Sequence, residues 1–465
     1  MGNGNIVEMK KYQKKEKYLE RLFVVFVFGL LLAWSISIPA MGAPDEGMKM
    51  DICRYLAENH KLPHGGDPSI RNGIWGISYA FMPILSYMIS AVFVKMASYF
   101  TTDLMALYVA ARFTSVLCGT AMAVMVIKIG HKLFCGAKQR WIFIVSATML
   151  PQVVYLGSYL NNDSLALFSI SVIIYAWILG LESEWSWKSV CLLGVGIGIC
   201  ALSYYNAYGY LLTSVTLYVT ACLIKGVKGI NWQEFWKKSL VIAAIAIAIA
   251  GWWFVRNALI YDGDFLGMQT ENEYAQEYAM DGFKPSQISN SNNIGESLTQ
   301  MLVKREWIKY TLMSFVGILG TGSYSSLVRM YWIYLISIVF ALLMCLLQYG
   351  SSSFRKTRIR DKKRILLEVT FGINMVIPVL LSVYYSYYND FQPQGRYIMP
   401  MLIPLMYFVT TGGCTFVDFV TTKGIMEKIS TKEKIRDVVY RVILLCGMLG
   451  PVLCLFLLKK YLYLI

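Results

Sequence analysis

Twelve apolar runs recur along this chain, at 21–40, 79–98, 107–128, 141–157, 164–181, 189–203, 207–225, 239–255, 329–348, 365–387, 397–418 and 441–463. About 20 apolar residues is the length that crosses a bilayer as a helix. In lipid every backbone polar group has to be satisfied within the segment, and among apolar runs of this length only helices do that. The fold class that follows is an all-α integral membrane protein, read as one polytopic domain over 1–465. Composition agrees: 57% of the 465 residues are hydrophobic, 15% are charged, and the mean hydropathy is +0.51, beyond the range of soluble domains.

The net charge of +15 does not point to nucleic acid. Its Lys and Arg fall in short clusters between apolar runs, a pattern that sets membrane orientation and meets anionic lipid. If all twelve runs cross, the basic segments 128–140 and 225–238 fall outside and the Asn-rich segment 257–305 falls inside. Taking 79–98 out of the count inverts this. Segments 1–21, 128–140, 182–188, 225–238, 350–364 and 420–441 then share the cytoplasmic face and hold 28 of the 43 Lys and Arg. The expected architecture has about 11 crossings with the N-terminus inside, in a bacterial plasma membrane. Segment 79–98 lies along or dips into the outer leaflet, within a long first outer loop, 41–106. A full span at 79–98 is the alternative and needs a further crossing, such as 307–320. The run after "KKYQKKEKYLER" is longer than the roughly 7–15 apolar residues of a signal peptide and reads as an uncleaved anchor. Nine of the ten cysteines sit in or beside apolar runs, so no disulfide framework is implied.

On this topology four motifs gather at the outer ends: "APDEGMK" (43–49), "SYLNNDSLALF" (158–168), "GWWFVRNALIYDGDFLG" (251–267) and "NDFQPQGRYIMP" (389–400). Two carry acids and two carry arginines, a combination suited to an anionic substrate at the lipid boundary. Asp45, shielded from bulk water, is expected to have a raised pKa and to act as a base toward a hydroxyl, with Glu46 beside it. The same Asp45 also reads as an N-cap for the helix that starts "EGMKMDICRYL", and Asp163 as an N-cap in "NNDSLALF". Arg256 and Arg396 read either as snorkelling headgroup contacts or as bidentate phosphate ligands. Lys49 and Arg71 are further cationic candidates. Asp45, Glu46 and Asp163 could hold Mg or Mn through oxygen ligands. His60 and His64 flank Pro63, which breaks the helical face a metal pair would need. The tyrosines of "SYYNAYGY" and "YYSYY" read as an interfacial belt. Span interiors show almost no ionisable residue, which argues against a pump or channel.

Taken together, "PDEGMK", "NNDSLALF", "GWWFVRN" and "QGRYIMP" resemble, in order and spacing, the membrane glycosyltransferases of the GT-C fold. The nearest likeness is to bacterial members related to protein O-mannosyltransferases and lipid A aminoarabinose transferases. The resemblance implies a GT-C-like bundle with juxtamembrane helices in its first outer loop. It implies transfer of a sugar from a polyprenyl phosphate to a cell-envelope acceptor (polysaccharide, teichoic acid, glycolipid or protein) on the outer face, with inversion. Asp45 would be the base, Glu46 its neighbour and Asp163 a second acid. Arg256 and Arg396 would hold the donor phosphate, and Asn162, Asn257, Gln394 and Tyr397 in the same motifs would contact substrate. Lys49 stands where related sequences usually carry a histidine, and the proline-rich start of the juxtamembrane segment is reduced to "FMPILSY". Acceptor recognition is expected from outer loops 41–106 and 257–328, with "SQISNSNNIGES" as a mobile gate. A lipid-linked substrate transporter or flippase, or an inactive GT-C-like scaffold, would use the same arginines without needing Asp45 as a base.

Overall fold

The computed structural model describes residues 3–224, 229, 231–317, 328–350, 361–423 and 429–462. Parts of the expected basic segments 225–238, 350–364 and 420–441, and 318–327 of the second outer loop, lie outside them. Among the described residues the regular structure is helical throughout: α1 (Asn3–Ser37), α2 (Glu46–Asn59), α3 (Leu85–Ser98), α4 (Leu104–Leu133), α5 (Ala137–Thr148), α6 (Pro151–Leu156), α7 (Asp163–Ser183), α8 (Trp187–Ala201), α9 (Gly209–Leu223), α10 (Trp232–Ile260), α11 (Met268–Tyr278), α12 (Trp307–Gly317), α13 (Val328–Gly350), α14 (Lys362–Tyr388), α15 (Leu402–Lys423) and α16 (Ile429–Leu462).

Short polar side chains start several of these helices. Asp103 Oδ2 accepts from Ala106 N–H at 2.8 Å, Asn231 Oδ1 from Glu234 N–H at 3.1 Å, and Asp361 Oδ1 from Arg364 N–H at 3.0 Å. Each satisfies a donor that the first helical turn leaves open. Among the described residues eight segments, within α1, α4, α7, α10, α13, α14 and α16 and over Gly395–Phe419 leading into α15, are long and apolar enough to cross a membrane. The other three expected crossings are shorter. Run 141–157 divides into α5 and α6 because Pro151 forces Leu150 into an extended conformation (φ −64°, ψ 131°). The 15-residue α8 and α9 reach only about 22 Å of an apolar thickness near 30 Å. The turn that joins them carries Tyr204 and Tyr205, both part-buried.

Helices α1 and α4 run antiparallel. Arg112, near the start of α4, donates to Ile38 O at 2.7 Å at the end of α1, and His131, near the end of α4, meets Glu20 at 2.5 Å. The chain thus leaves α1 and enters α4 at one end of the bundle, and the 14-residue α3 lies in between without carrying it across. At the opposite end the basic segments meet one another. Arg140 pairs with Glu16 at 2.5 Å and Lys132 with Glu182 at 2.6 Å, and Lys138 pairs with Asp437.

Candidate active site

The end of α1, the start of α2, the turn Tyr79–Phe81, the start of α7 and the 3₁₀ segment Gly395–Met401 converge on one polar cluster. Asp45 precedes α2 with a left-handed backbone (φ 56°, ψ 18°), and its carboxylate caps no helix N–H. This conformation is strained for most residues and tolerated by Asp and Asn. It leaves the carboxylate free for other partners: Oδ2 accepts from the Tyr79 hydroxyl at 2.9 Å and from Arg396 Nη2 at 3.4 Å. Asp45 is a third exposed. Burial pushes its pKa up, but Lys49 and Arg396, with the hydrogen bonds from Tyr79 and Arg396, outweigh burial and hold it below the ordinary value. The raised pKa expected from shielding alone is therefore corrected: the structure surrounds this acid with cations, and it stays ionised.

Lys49 is nearly fully buried. Its Nζ donates to Pro44 O at 2.8 Å and lies 5.3 Å from the centre of the Tyr79 ring and 5.4 Å from that of Tyr159. Burial and the neighbouring Arg396 push its pKa down to about 8, against the pull of Asp45, Asp163 and Glu46. Arg396 is 9% exposed, donates from Nη2 to the Tyr397 hydroxyl at 3.1 Å, and keeps a buried Nε with no hydrogen-bond partner. Tyr397 in turn donates to Gln392 and stacks over Tyr204, centroids 6.5 Å apart. Gly395 makes this placement possible. Its N–H donates to Ser314 Oγ at 2.6 Å, and a Cβ there would lie 2.0 Å from the Phe315 backbone nitrogen. Gln394 caps the segment through its backbone carbonyl, which accepts from Tyr397 N–H at 3.2 Å.

Asp163 opens α7, buried, within electrostatic reach of Arg396, Lys49 and Asp45. It does not cap the helix: Asn161 Oδ1 accepts from Ser164 N–H at 2.9 Å instead. Asn162 is structural, accepting from Tyr87 at 3.3 Å and donating to Ser203 O at 3.1 Å.

Glu46 lies apart from Asp45's partners, in a fully buried bidentate pair with Arg112. Nε donates to Oε1 at 2.8 Å and Nη2 to Oε2 at 2.6 Å, while Leu160 N–H donates to Oε1 at 3.0 Å. Arg112 also donates to Ser35 O, Ile38 O and Pro39 O, satisfying the open end of α1. It is the residue that sequence reasoning missed, and its signal was a lone arginine inside the apolar run 107–128. Arg256 is held elsewhere, donating to Pro63 O at 2.6 Å and to Asn257 Oδ1 at 3.0 Å. Asn257 is fully buried. Arg71 packs 3.7 Å over the Tyr278 ring and joins segment 41–106 to α11.

Two other expectations change. The tyrosines of "SYYNAYGY" turn inward rather than forming a belt: Tyr205, Tyr208 and Tyr210 donate to Leu266 O, Ala201 O and Pro400 O. The segment "SQISNSNNIGES" is pinned to the end of α14. Asn290 Nδ2 donates to Tyr388 O at 2.8 Å and Asn292 N–H to Tyr387 O at 3.1 Å.

A divalent cation at Asp45 and Asp163 would need several free carboxylate oxygens converging on one point. Both Glu46 oxygens are taken by Arg112, Asp45 Oδ2 by Tyr79 and Arg396, and two cationic side chains already stand beside the acids. The residues present do not fit Mg or Mn, and no step below passes through a metal.

The family model described as a predicted membrane protein, DUF2142, matches residues 70–406. No curated protein matches the chain by sequence. Among solved structures, the oligosaccharyltransferase of Archaeoglobus fulgidus in its apo form aligns with TM-score 0.54 at 11% identity, covering 94% of this chain and 56% of that one. The same archaeal enzyme, AglB, in complex with an inhibitory peptide and a dolichol-phosphate aligns with TM-score 0.52 at 11% identity, over 96% of this chain and 56% of that one. ArnT from Cupriavidus metallidurans bound to undecaprenyl phosphate aligns with TM-score 0.47 at 14% identity, over 94% and 72%. The fold is thus the GT-C fold, and the chain spans little more than half the length of the oligosaccharyltransferase it matches.

Proposed function

We propose that this chain, which belongs to the DUF2142 family of predicted membrane proteins, transfers a sugar from a polyprenyl phosphate to a cell-envelope acceptor on the extracytoplasmic face, with inversion. The observation that carries this reading is the pairing of Asp45, ionised and part-exposed, with a buried Arg396 whose Nε lacks a partner. One group can take a proton and the other can take a phosphate oxygen. The likeness to an archaeal enzyme solved with a dolichol-phosphate supports the lipid carrier.

Asp45 takes the proton of the acceptor hydroxyl as that oxygen bonds to the anomeric carbon. The bond from the anomeric carbon to the phosphate oxygen breaks on the opposite face, and polyprenyl phosphate leaves with the electron pair. Arg396 and Lys49 stabilise the departing charge. Asp163 balances the two cations when no donor is bound. Arg256 and Arg71 secure the first outer loop around the site. The test is turnover by purified protein of a panel of polyprenyl-phosphate sugars with envelope extract as acceptor, the product anomer being read by NMR. An inverted product supports the reading. Donors that bind and are never turned over give precedence to a transporter or a silent scaffold.

Lys49 gives an alkaline limit. Its folded pKa of about 8 lies below the 10.5 of unfolded lysine, so its charge in the site is lost from pH 8 upward. Over the same window the unfolded chain binds more protons, and folding stability rises with pH. Activity is therefore expected to fall above pH 8 while the protein becomes no less stable. Lys49→Arg, charged at any working pH, should move that limb upward, and an unshifted limb would remove Lys49 from the donor site.

Arg396→Lys should raise the KM for donor by about tenfold or more, because an ammonium cannot grip a phosphate bidentately. Equal donor affinity in the variant, by titration with polyprenyl phosphate, would place the phosphate elsewhere.

A further inference from the structure

Within segment 41–106, residues 63–66 form a junction with the end of α10, with α11 and with the turn Tyr79–Phe81. Arg256 Nη2 donates to Pro63 O at 2.6 Å, Gly65 N–H to the Tyr261 hydroxyl at 3.0 Å, and Ser78 Oγ to Gly65 O at 2.6 Å. The space admits only glycine at two positions: a Cβ at Gly65 would lie 2.4 Å from the Phe81 ring, and one at Gly66 1.9 Å from the Tyr274 ring. The His64 imidazole sits among these groups, part-buried, with Tyr261, Tyr274 and Phe81 around it at centroid distances of 4.9, 5.7 and 6.2 Å.

His64 Nδ1 accepts from the N–H of buried Gly66 at 3.1 Å. An imidazole that accepts at Nδ1 carries its proton on Nε2 and is neutral, whereas the imidazolium has protons on both nitrogens and accepts nothing. Protonation therefore sets two donors against each other and leaves a buried N–H without an acceptor, a costly state. It also places a second cation near Arg256 on α10. Asp67, in the same loop, is the opposing charge, and the other titratable neighbours are the phenols of Tyr261 and Tyr274. Burial and Arg256 outweigh Asp67 and hold the His64 pKa below its ordinary 6.5. Between the two values the folded chain binds fewer protons than the unfolded one. The contribution of neutral His64 is thus complete above pH 6.5 and declines as the pH falls below it.

A line of contacts joins His64 to Asp45. Ser78 Oγ, while donating to Gly65 O, accepts from Ala80 N–H at 3.2 Å and so caps the turn Tyr79–Phe81. From that turn Phe81 covers Gly65 and meets Tyr261 and Tyr274 at 5.4 and 5.5 Å, and the Tyr79 hydroxyl donates to Asp45 Oδ2 at 2.9 Å. We propose that His64 is a positioning residue for Asp45: neutral, it holds the Tyr79–Phe81 turn against α10 and α11, and protonated it releases that turn and the hydroxyl that aims the carboxylate. The consequence for transfer rests on the reading of Asp45 as the base; the loosening itself does not.

The test is hydrogen exchange of the full-length protein in detergent, read by mass spectrometry at about pH 7.5 and about pH 5.5, with exchange times scaled to the intrinsic rate at each pH. Protection of peptides from 60–82 and from 41–50 should fall together by about tenfold at the lower pH, the factor carried by one hydrogen bond. His64→Asn is the deciding variant, because an asparagine Oδ1 accepts from the N–H two residues on, as Nδ1 does here, and does not titrate. Its protection should be the same at both pH values. Asp67→Asn, whose amide oxygen can still accept from Ser69 N–H, removes the anion that opposes Arg256 and should move the midpoint of the loosening to lower pH. Where transfer is measured, an acid limb at the same midpoint should vanish in His64→Asn; Asp45, held below the ordinary carboxylate value, titrates outside that window. Equal wild-type protection at both pH values, or a fall that persists in His64→Asn, would overturn the proposal. Loosening of 60–82 that leaves 41–50 unchanged would break the link to Asp45. Absence of any transfer counts against the sugar-transfer reading alone, and the exchange results still decide the role of His64.

Discussion

Asp45→Asn is expected to lower sugar transfer by about 10²- to 10⁴-fold, the range contributed by a positioned general base, while the protein stays folded. Asparagine suits this test because the backbone at position 45 is left-handed (φ 56°), a conformation Asn tolerates and Ala does not. The amide oxygen can still accept from Tyr79 and Arg396, so only the charge and the basicity are lost. Donor binding gives a second sign. With Asp45 neutral, Arg396 loses an anionic partner at 3.4 Å, and the phosphate of the donor meets less competition. Measured well below pH 8, where Lys49 keeps its proton even without the pull of Asp45, donor Kd should stay equal or tighten as kcat collapses, a split that misfolding cannot produce. Asp163→Asn is the comparator. It removes a countercharge to Lys49 and Arg396 and should cost less in kcat. Single-turnover transfer with preloaded donor checks both variants. A wild-type rate in Asp45→Asn with collapse in Asp163→Asn would move the base to the start of α7.

The helical, membrane-spanning class was legible because apolar length is a property of contiguous residues. The four motifs were visible as short contiguous patterns, and three of them contribute to the cluster around Asp45, Asp163 and Arg396. What each side chain does there was not. Asp45 and Arg396 are 351 positions apart, and no local pattern shows that a cation sits beside the acid and reverses the expected direction of its pKa. Adjacent Asp45 and Glu46 read as a pair, yet the left-handed residue between loop and helix sends them to different partners. Arg112 was hidden by its own run, since one arginine barely alters the hydropathy of 107–128. The proline at 151 was in plain view, but breaking that run required weighing backbone geometry above apolar length. The stacking of Tyr204 on Tyr397, which joins the turn between α8 and α9 to the distant segment Gly395–Met401, is likewise a matter of where a turn falls rather than of composition.

Arg112→Met is expected to be among the most destabilising single changes in the chain, by about 3–5 kcal/mol, because it leaves Glu46 charged and buried with no counterion. Both side chains of the pair have no solvent exposure, so water cannot substitute. The same change also strips a donor from Ser35 O, Ile38 O and Pro39 O at the end of α1. Glu46→Gln should cost less, since an amide oxygen can still accept from Arg112 and from Leu160 N–H. Replacing both together, Arg112→Met with Glu46→Met, should recover part of the loss, because paired removal avoids an orphaned charge. Membrane proteins of this size unfold irreversibly, so the readout is the half-life of the monodisperse species on heating in detergent. Equal half-lives for Arg112→Met and wild type would show that the pair contributes nothing. Stability is only half of what this pair does. Glu46 receives Arg112 from α4 and Leu160 N–H from the loop that leads to Asp163, and it adjoins Asp45 in sequence, so one carboxylate sets the spacing of the two acid-bearing segments. At a temperature where Glu46→Gln is fully folded, kcat should therefore fall while donor Kd holds, because Arg396 reaches the site from Gly395–Met401 independently of that anchor.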